Sequence, residues 1–279
     1  MHYLTDYHIH TRRCGHAAGE MEEYVEAAIQ RGLKEIGFSD HLPLVTHRDP
    51  ELTMGEEELP RYVEDVLRLQ EKYRGVLPIK LGVEADFIPG YEEQTLRLLE
   101  AYEWDYVIGS VHIISEWEFD DPRRIGEWDS RDVDDVYRCY FDLLRRSAES
   151  GLFDIIAHPD LVKKFGHRPQ ADLREEIERT AESFRKAGVA IEINTSGLRK
   201  PVGEMYPAYS AVEVLQQHDV PLIIGSDAHR PEEVGQDFDR AVAWATQAGY
   251  RETLVFTGRR VVDRLPLNET EKRQQRPTA

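Results

Sequence analysis

The sequence predicts an α/β protein: a barrel of parallel strands wrapped by helices, with a metal site at the carboxyl ends of the strands. Three features point there. Seven apolar runs of strand length alternate with amphipathic segments of helical spacing, the pattern of parallel strands joined by right-handed crossovers. Six of the runs end in strong metal-ligand side chains: His8 and His10 after YLTDY, His41 after EIGFSD, Glu84 after IKLGV, His112 after YVIGSV, His158 after FDIIA, and Asp227 with His229 after LIIGS. The remaining run, VAIEINTS, lies between the last two and ends in Asn194, Thr195 and Ser196. Polar residues gathered at strand carboxyl ends form the working face of such a barrel.

The first strand begins near Tyr3. Glu20 to Arg31 then spaces Met21, Tyr24, Val25, Ala28 and Ile29 along one helix face, with Gly32 as its stop. Leu59 to Tyr73 is amphipathic and precedes IKLGVEADF, and Tyr91 to Tyr102 precedes YVIGSVH. Val133 to Ser150, Leu173 to Ala187 and Ala208 to His218 each precede a further apolar run. Pro231 to Gly235 opens a last helix, Phe238 to Ala248, and LVFTG adds a terminal strand. Two insertions interrupt the alternation: Pro43 to Glu58, and Ser115 to Asp132, which is rich in Trp, Asp and Arg. Loops of this length on such a scaffold form lids or substrate walls. Residues 1–267 read as a single domain, and the polar stretch 268–279 as a disordered tail.

A chain of 279 residues can bury a large core in one domain. Its 41% hydrophobic and 32% charged residues are those of a soluble globular protein. A formal net charge of −18 argues against nucleic acid, whose phosphate backbone is bound through Lys/Arg patches. A small phosphorylated substrate stays open, because bound divalent cations reverse the local field. No apolar stretch reaches the length of a membrane span, so no membrane partner is expected. MHYLTDYH lacks the basic and apolar regions of a signal peptide, and two cysteines cannot make a disulfide framework. The expected location is the cytoplasm.

Residues i and i+2 of a strand point the same way, so His8 and His10 reach one metal together; Asp227 and His229 share that spacing. Any one histidine is as readily a hydrogen-bonded core or surface residue. Six histidines, one Glu and one Asp recurring at strand ends are poorly explained that way. In the first loop, RRCGHAAGE, either Cys14 or His16 suits zinc, and His16 is favoured, with Cys14 as a loop residue. His2, His47, His167 and His218 lack strand-end placement and read as surface residues. Asp40 is placed to orient His41 or a water, and Asp6 to orient His8. Among basic residues near strand ends, Lys163, Lys164, Lys200 and Arg230 are candidates for phosphate, and Arg199 ranks first for its fixed fork.

The ordered set H-x-H, SDH, the Glu of GVEAD, GSVH, AHPD and GSDAH resembles the polymerase-and-histidinol-phosphatase (PHP) superfamily over roughly residues 3 to 235. DYHIHTRRCGHAAG, SDHLPL, GSVH and NTSGLRKPVGEMYP look most like its monofunctional histidinol-phosphate phosphatases. The resemblance implies a distorted, TIM-like (β/α)7 barrel and a trinuclear centre of zinc, manganese or iron, loaded with about two to three ions. By motif, His8, His10, Glu84 and Asp227 hold one metal, Glu84, His112 and His158 a second, and His16, His41 and His229 the third. LVKKFG departs from the pattern, with lysines where close relatives are expected to carry an arginine. The implied activity is hydrolysis of L-histidinol phosphate to L-histidinol and phosphate. Another phosphoesterase, on nucleotides or phosphotyrosine, and a non-catalytic metal-binding module are the alternatives.

For the chemistry, Glu84 is expected to bridge two ions, Arg199 to meet the phosphate and Asp40 to support the reaction, with the proton donor left open among Asp40, Asp160, His229 and water. Acidic residues of the second insertion, Glu116, Glu118, Asp120 and Asp121, are expected to attract an amine and imidazole on the leaving group.

Overall fold

The computed structural model describes residues 4–267; the expected tail from Asn268 onward and His2 lie outside the described residues. Strands β1 (Thr5–Asp6), β2 (Glu35–Phe38), β3 (Ile79–Asp86) and β4 (Tyr106–Ser110) are followed by a small hairpin, β5 (Ile113–Ile114) with β6 (Trp117–Glu118). Then come β7 (Ile155–Ile156), β8 (Ala190–Asn194) and β9 (Leu222–Gly225), and a second hairpin, β10 (Glu252–Thr257) with β11 (Arg260–Pro266). The main sheet is parallel throughout, seven strands in the order β1-β2-β3-β4-β7-β8-β9. Ile9 pairs with Ala228 just beyond β1 and β9, through His10 N–H to the Ala228 carbonyl at 2.9 Å and Ala228 N–H to the His8 carbonyl at 3.1 Å. That bridge brings the first strand to the last, and the sheet becomes a nearly closed barrel.

Helices α1 (Met21–Arg31), α2 (Leu59–Lys72), α3 (Glu92–Leu99), α4 (Val133–Glu149), α5 (Arg174–Ala187), α6 (Tyr209–Gln217) and α7 (Phe238–Ala248) fall where the spacing predicts them. In α1 a reciprocal capping box between Glu20 and Glu23 starts the helix, and Gly32, at φ 70°, ends it. Its buried face is Tyr24, Val25 and Ala28, whereas Ile29 is exposed.

Inside the barrel the Tyr106 ring occupies the space that two glycines vacate. A Cβ on Gly37 or Gly82 would lie 2.2 Å from it. Its hydroxyl donates to the Tyr7 carbonyl at 2.7 Å. Around it, Tyr7, Ile108, Ile155 and Ile223 pack against Leu254 and Phe256 of β10. The LVFTG run forms the expected terminal strand, and it lies outside the seven-stranded sheet. It is half of an antiparallel hairpin that plugs the amino-terminal end, where Arg259 donates to the Leu152 carbonyl and the Asp154 carboxylate at 2.7 and 2.9 Å. The opposite end is left for the site.

Both insertions are built structures. Trp117, Phe119 and Trp128 are buried, and the Trp128 indole donates to the Phe119 carbonyl at 2.9 Å. Arg123 of the second insertion clasps Asp49 and Glu51 of the first at 2.8 and 2.5 Å, and His47 pairs with Glu118 at 3.0 Å. The two loops form one wall above the strand ends. No helix among the described residues is long and apolar enough to cross a membrane.

Candidate metal centre

Parallel strands aim their carboxyl ends at one point, and the predicted residues meet there. The His10 ring lies 4.4 Å from His41, 4.1 Å from His229 and 5.0 Å from His8, between centroids. His16 stacks on His229 at 4.7 Å, and His112 lies 5.1 Å from His158. Glu84 is the hub: its carboxylate is 3.2 Å from His8, 3.5 Å from His10, 3.1 Å from His41, 3.7 Å from His112 and 3.2 Å from His158. Asp227 approaches His10 at 3.1 Å from the other side. His158 (φ 27°) and Asp227 (φ 52°) hold left-handed backbone, a strain typical of functional positions.

Burial works against charge on Glu84, yet His41, His8 and His158 outweigh it and hold the carboxyl well below its usual range. Burial likewise opposes charge on Asp227, and His8, His10 and His229 overcome it. Burial holds His41 and His229 well below the ordinary imidazole range, reinforced by neighbouring imidazoles. Burial opposes charge on His8 and His10 too, yet the carboxylates around them raise both rings well above the ordinary range; a metal binds in place of such a proton.

The donor atoms also fit an ion. His8 Nε2, both ring nitrogens of His10, Glu84 Oε2 and His158 Nδ1 are buried and have no hydrogen-bond partner. Such orphans are costly, and a cation within the cluster satisfies several at once. His8, His10 and Asp227 form one group of converging donor atoms, His8, Glu84 and His158 another, and His10, His41 and His229 a third. His16 groups with Cys14 and His229. Cys14 itself is buried, its thiol donating to the Thr11 carbonyl at 3.1 Å.

Above the cluster lies a cavity of about 760 Å³, lined in part by Glu84, Asp86, His112, Glu118, Asp120, Asp121, Lys164 and Lys200. The structure redistributes the predicted cations. Lys163 is buried away from the cavity, its ammonium donating to Asp160 and to the Met205 carbonyl, both at 2.8 Å. Arg199 sits behind Asp227 and does not line the cavity: Nη2 donates to the Ser226 carbonyl at 2.7 Å and Nε pairs with Glu233 at 3.5 Å, while Nη1 is buried without a partner. Arg230 is exposed and does not line the cavity. Lys164 does line it, paired with Asp120 at 3.0 Å, and so does Lys200.

The acids are redistributed too. Asp40 is buried beside His10, 3.5 Å from its Nδ1, and accepts from the Thr11 hydroxyl. It therefore supports His10; toward His41 it offers only an oxygen to the backbone N–H, at 2.9 Å. Asp6 orients backbone and not the His8 ring: it accepts from Ser226 N–H at 3.0 Å and Gly235 N–H at 2.9 Å. Glu116 is exposed and does not line the cavity.

The family sequence pattern described as the PHP domain matches residues 6–196. The chain belongs to the PHP domain family. This PHP chain is 41% identical over 258 residues to a "Probable histidinol-phosphatase" of Deinococcus radiodurans, a match spanning 92% of this chain and 98% of that one. It is 28% identical to the histidinol-phosphatase of Bacillus subtilis, spanning 84% of this chain and 96% of the relative. Its fold is similar to a crystal structure of the Lactococcus lactis histidinol phosphate phosphatase complexed with zinc, L-histidinol and phosphate. There the TM-score is 0.82 at 20% identity, covering 94% of this chain and 99% of that one.

Two carboxylates of the PHP barrel escape the sequence reading. Asp86 lies 3.0 Å from His112 Nδ1; burial disfavours charge on that ring, but Asp86 and then Asp120 prevail and push it up to about 10. Glu192 lies 2.8 Å from His8 Nδ1. The signals were present. Asp86 follows Glu84 by two residues on the same strand, and Glu192 is a lone charge inside the apolar run VAIEINTS.

Proposed function

We propose that this PHP chain is a metal-dependent phosphomonoesterase that hydrolyses L-histidinol phosphate to L-histidinol and phosphate. The observation that carries the proposal is Glu84 within 3.7 Å of five histidines, at the floor of a cavity walled by acidic residues. The relatives' names agree with it. His8, His10, Glu84 and Asp227 would hold one ion, Glu84, His112 and His158 a second, and His16, His41 and His229 a third. Zinc, manganese or iron suits such donors. When bound, the ions supply Lewis acidity that activates water and polarises a phosphoryl oxygen.

The chain's own residues do the rest. Glu84 joins two of the donor sets, so one side chain fixes their separation. Lys164 and Lys200 present positive charge to the phosphate as negative charge spreads over its equatorial oxygens. Glu118, Asp120 and Asp121 face the amine and imidazole of the leaving alcohol. Leu44, Ile113, Ile125 and Phe165 give the cavity its apolar lining. The Cys14 thiol and the Ser196 hydroxyl are both committed, the first donating to the Thr11 carbonyl and the second to Asp227 at 2.9 Å. Of the side chains open as proton donor, Asp40 and Asp160 are buried behind the site, whereas His229 lines it. Two thiols suit a reducing cytoplasm, where we place the enzyme.

Protein purified without chelator is expected to hold about two to three transition-metal ions per chain. Elemental analysis checks this, and fewer than about one ion with activity undiminished in chelator would overturn the mechanism. Lys164→Ala and Lys200→Ala are each expected to lower kcat/KM about ten- to a hundredfold, the worth of a charge-assisted contact to a dianion. Metal content should stay unchanged. Arg230→Ala serves as the control, and equal losses in it would remove the lysines' special role.

A further inference from the structure

β8 contributes no donor to any of the three groups, and it ends in Asn194, Thr195 and Ser196 where its neighbours end in histidine or carboxylate. Yet it carries Glu192, fully buried, with oxygens that meet three donors. Oε1 faces His8 Nδ1 at 2.8 Å; Oε2 accepts from the His158 backbone N–H at 3.1 Å and from Asn194 Nδ2 at 2.8 Å. Asn194 Nδ2 also reaches Asp227 Oδ2 at 3.2 Å, and its Oδ1 accepts from Ser196 N–H at 2.9 Å. Ser196 in turn donates its hydroxyl to the same Asp227 oxygen at 2.9 Å. Three residues of one segment thus touch His8, His158 and Asp227, which come from β1, β7 and β9. The barrel has been opened for this carboxylate: a Cβ on Gly225 would lie 1.9 Å from Glu192 Oε1.

We infer that Glu192 is a positioning residue for the metal centre: it holds the proton of His8 on Nδ1, turns Nε2 toward Glu84, and, with Asn194 and Ser196, fixes Asp227. A carboxylate can only accept, so the nitrogen facing Glu192 must donate, which leaves only the other nitrogen for an ion. That nitrogen, His8 Nε2, lies 3.2 Å from Glu84 and 3.8 Å from Asp227. The inference rests on the reading that His8, His158 and Asp227 hold metal, and it adds what sets their orientation. Such supports commonly govern metal affinity by about 10–100-fold.

The discriminating variant is Glu192→Gln, which preserves size and shape. An amide has one acceptor and one donor end, so it cannot accept on both sides. With its NH2 toward His158 and Asn194, donor meets donor. With its NH2 toward His8, the ring proton must move to Nε2, the atom needed by the ion. A residue that merely fills space would tolerate glutamine. A positioning residue will not.

The test measures zinc affinity of full-length wild type, Glu192→Gln and Gly225→Ala by competition with a chromophoric chelator, with melting temperatures of the metal-free proteins in parallel. Ring-nitrogen NMR of the zinc-loaded proteins reports which His8 nitrogen keeps its proton. Expected are a loss of about 10–100-fold in affinity for Glu192→Gln, a His8 signal no longer in the Nδ1–H form alone, and a nearly unchanged metal-free melt. Gly225→Ala, which pushes the same carboxylate from behind, should also lose zinc affinity. Wild-type affinity in Glu192→Gln overturns the role of Glu192 and leaves the metal centre standing. A wild-type chain that takes up no zinc, manganese or iron overturns the centre and this role with it.

Discussion

Replacing Glu84 with Ala is expected to lower kcat at least about a thousandfold, because losing several kcal/mol of transition-state stabilisation costs tenfold for each 1.4 kcal/mol or so. The physical reason lies in its position. One carboxylate, nearly fully buried, contacts five histidines drawn from four strand ends, so no neighbour can take its place. Asp227 is turned toward His8 and His10, and Asp86 is held by His112. Truncation removes the side chain shared by two donor sets, which would hold two ions. The fold should survive. The plug of Tyr7, Tyr106, Ile108, Leu254 and Phe256 lies at the opposite end of the barrel. The measurements are kcat on histidinol phosphate, metal content, and circular dichroism of the variant. Activity within about tenfold of wild type, with metal content intact, would move the bridging role elsewhere.

Much of this site was legible because a parallel barrel turns sequence order into spatial convergence. Any ligand at the carboxyl end of a strand must face the same mouth, so His41, Glu84, His112 and His158 read as neighbours despite their separation along the chain. His8 and His10 added the two-residue period of a strand. Side-chain direction in loops has no such rule. Lys163 and Lys164 are adjacent in sequence, yet one is buried on Asp160 and the other lines the cavity. Arg199 reads as a phosphate ligand by position, but its Nη2 turns to the backbone carbonyls of Ser226 and Asp227 and the side chain does not line the cavity. Glu192 stayed hidden for a different reason: a charge inside a strand reads as a solvent-facing position unless the partner face is known. Gly225, opposite it, shows only in three dimensions that the space was cleared. The LVFTG run had the composition of a barrel strand, and its antiparallel partner β11 is mostly exposed, so apolar periodicity gave no sign of a hairpin there.

The substrate itself is the other large effect: kcat/KM for L-histidinol phosphate is expected to exceed that for AMP and for a phosphotyrosine peptide by at least about a hundredfold. The floor of the site does not discriminate, since metal ions and Lys164 and Lys200 would meet the phosphate of any monoester. The wall does. Glu118, Asp120 and Asp121 line the cavity, and the clasp of Arg123 on Asp49, Glu51 and Asp121 holds that wall in place. A leaving group with an amine and an imidazole brings positive charge and donors to these carboxylates. An adenosine brings neither charge, and a tyrosine ring in a peptide sets apolar carbon against the same carboxylates; these are already paired with His47, Arg124, Lys164 and Arg123, so a cationic leaving group is favoured by the acidic field of the wall. The preference should shrink as salt rises, because the partly exposed carboxylates are screened while the metal-borne phosphate contacts are not. Initial rates at saturating metal, with all three substrates at two ionic strengths, decide it. Equal or better turnover of AMP would leave the barrel and its metal centre in place and assign the acidic wall to some other cation than the one on histidinol.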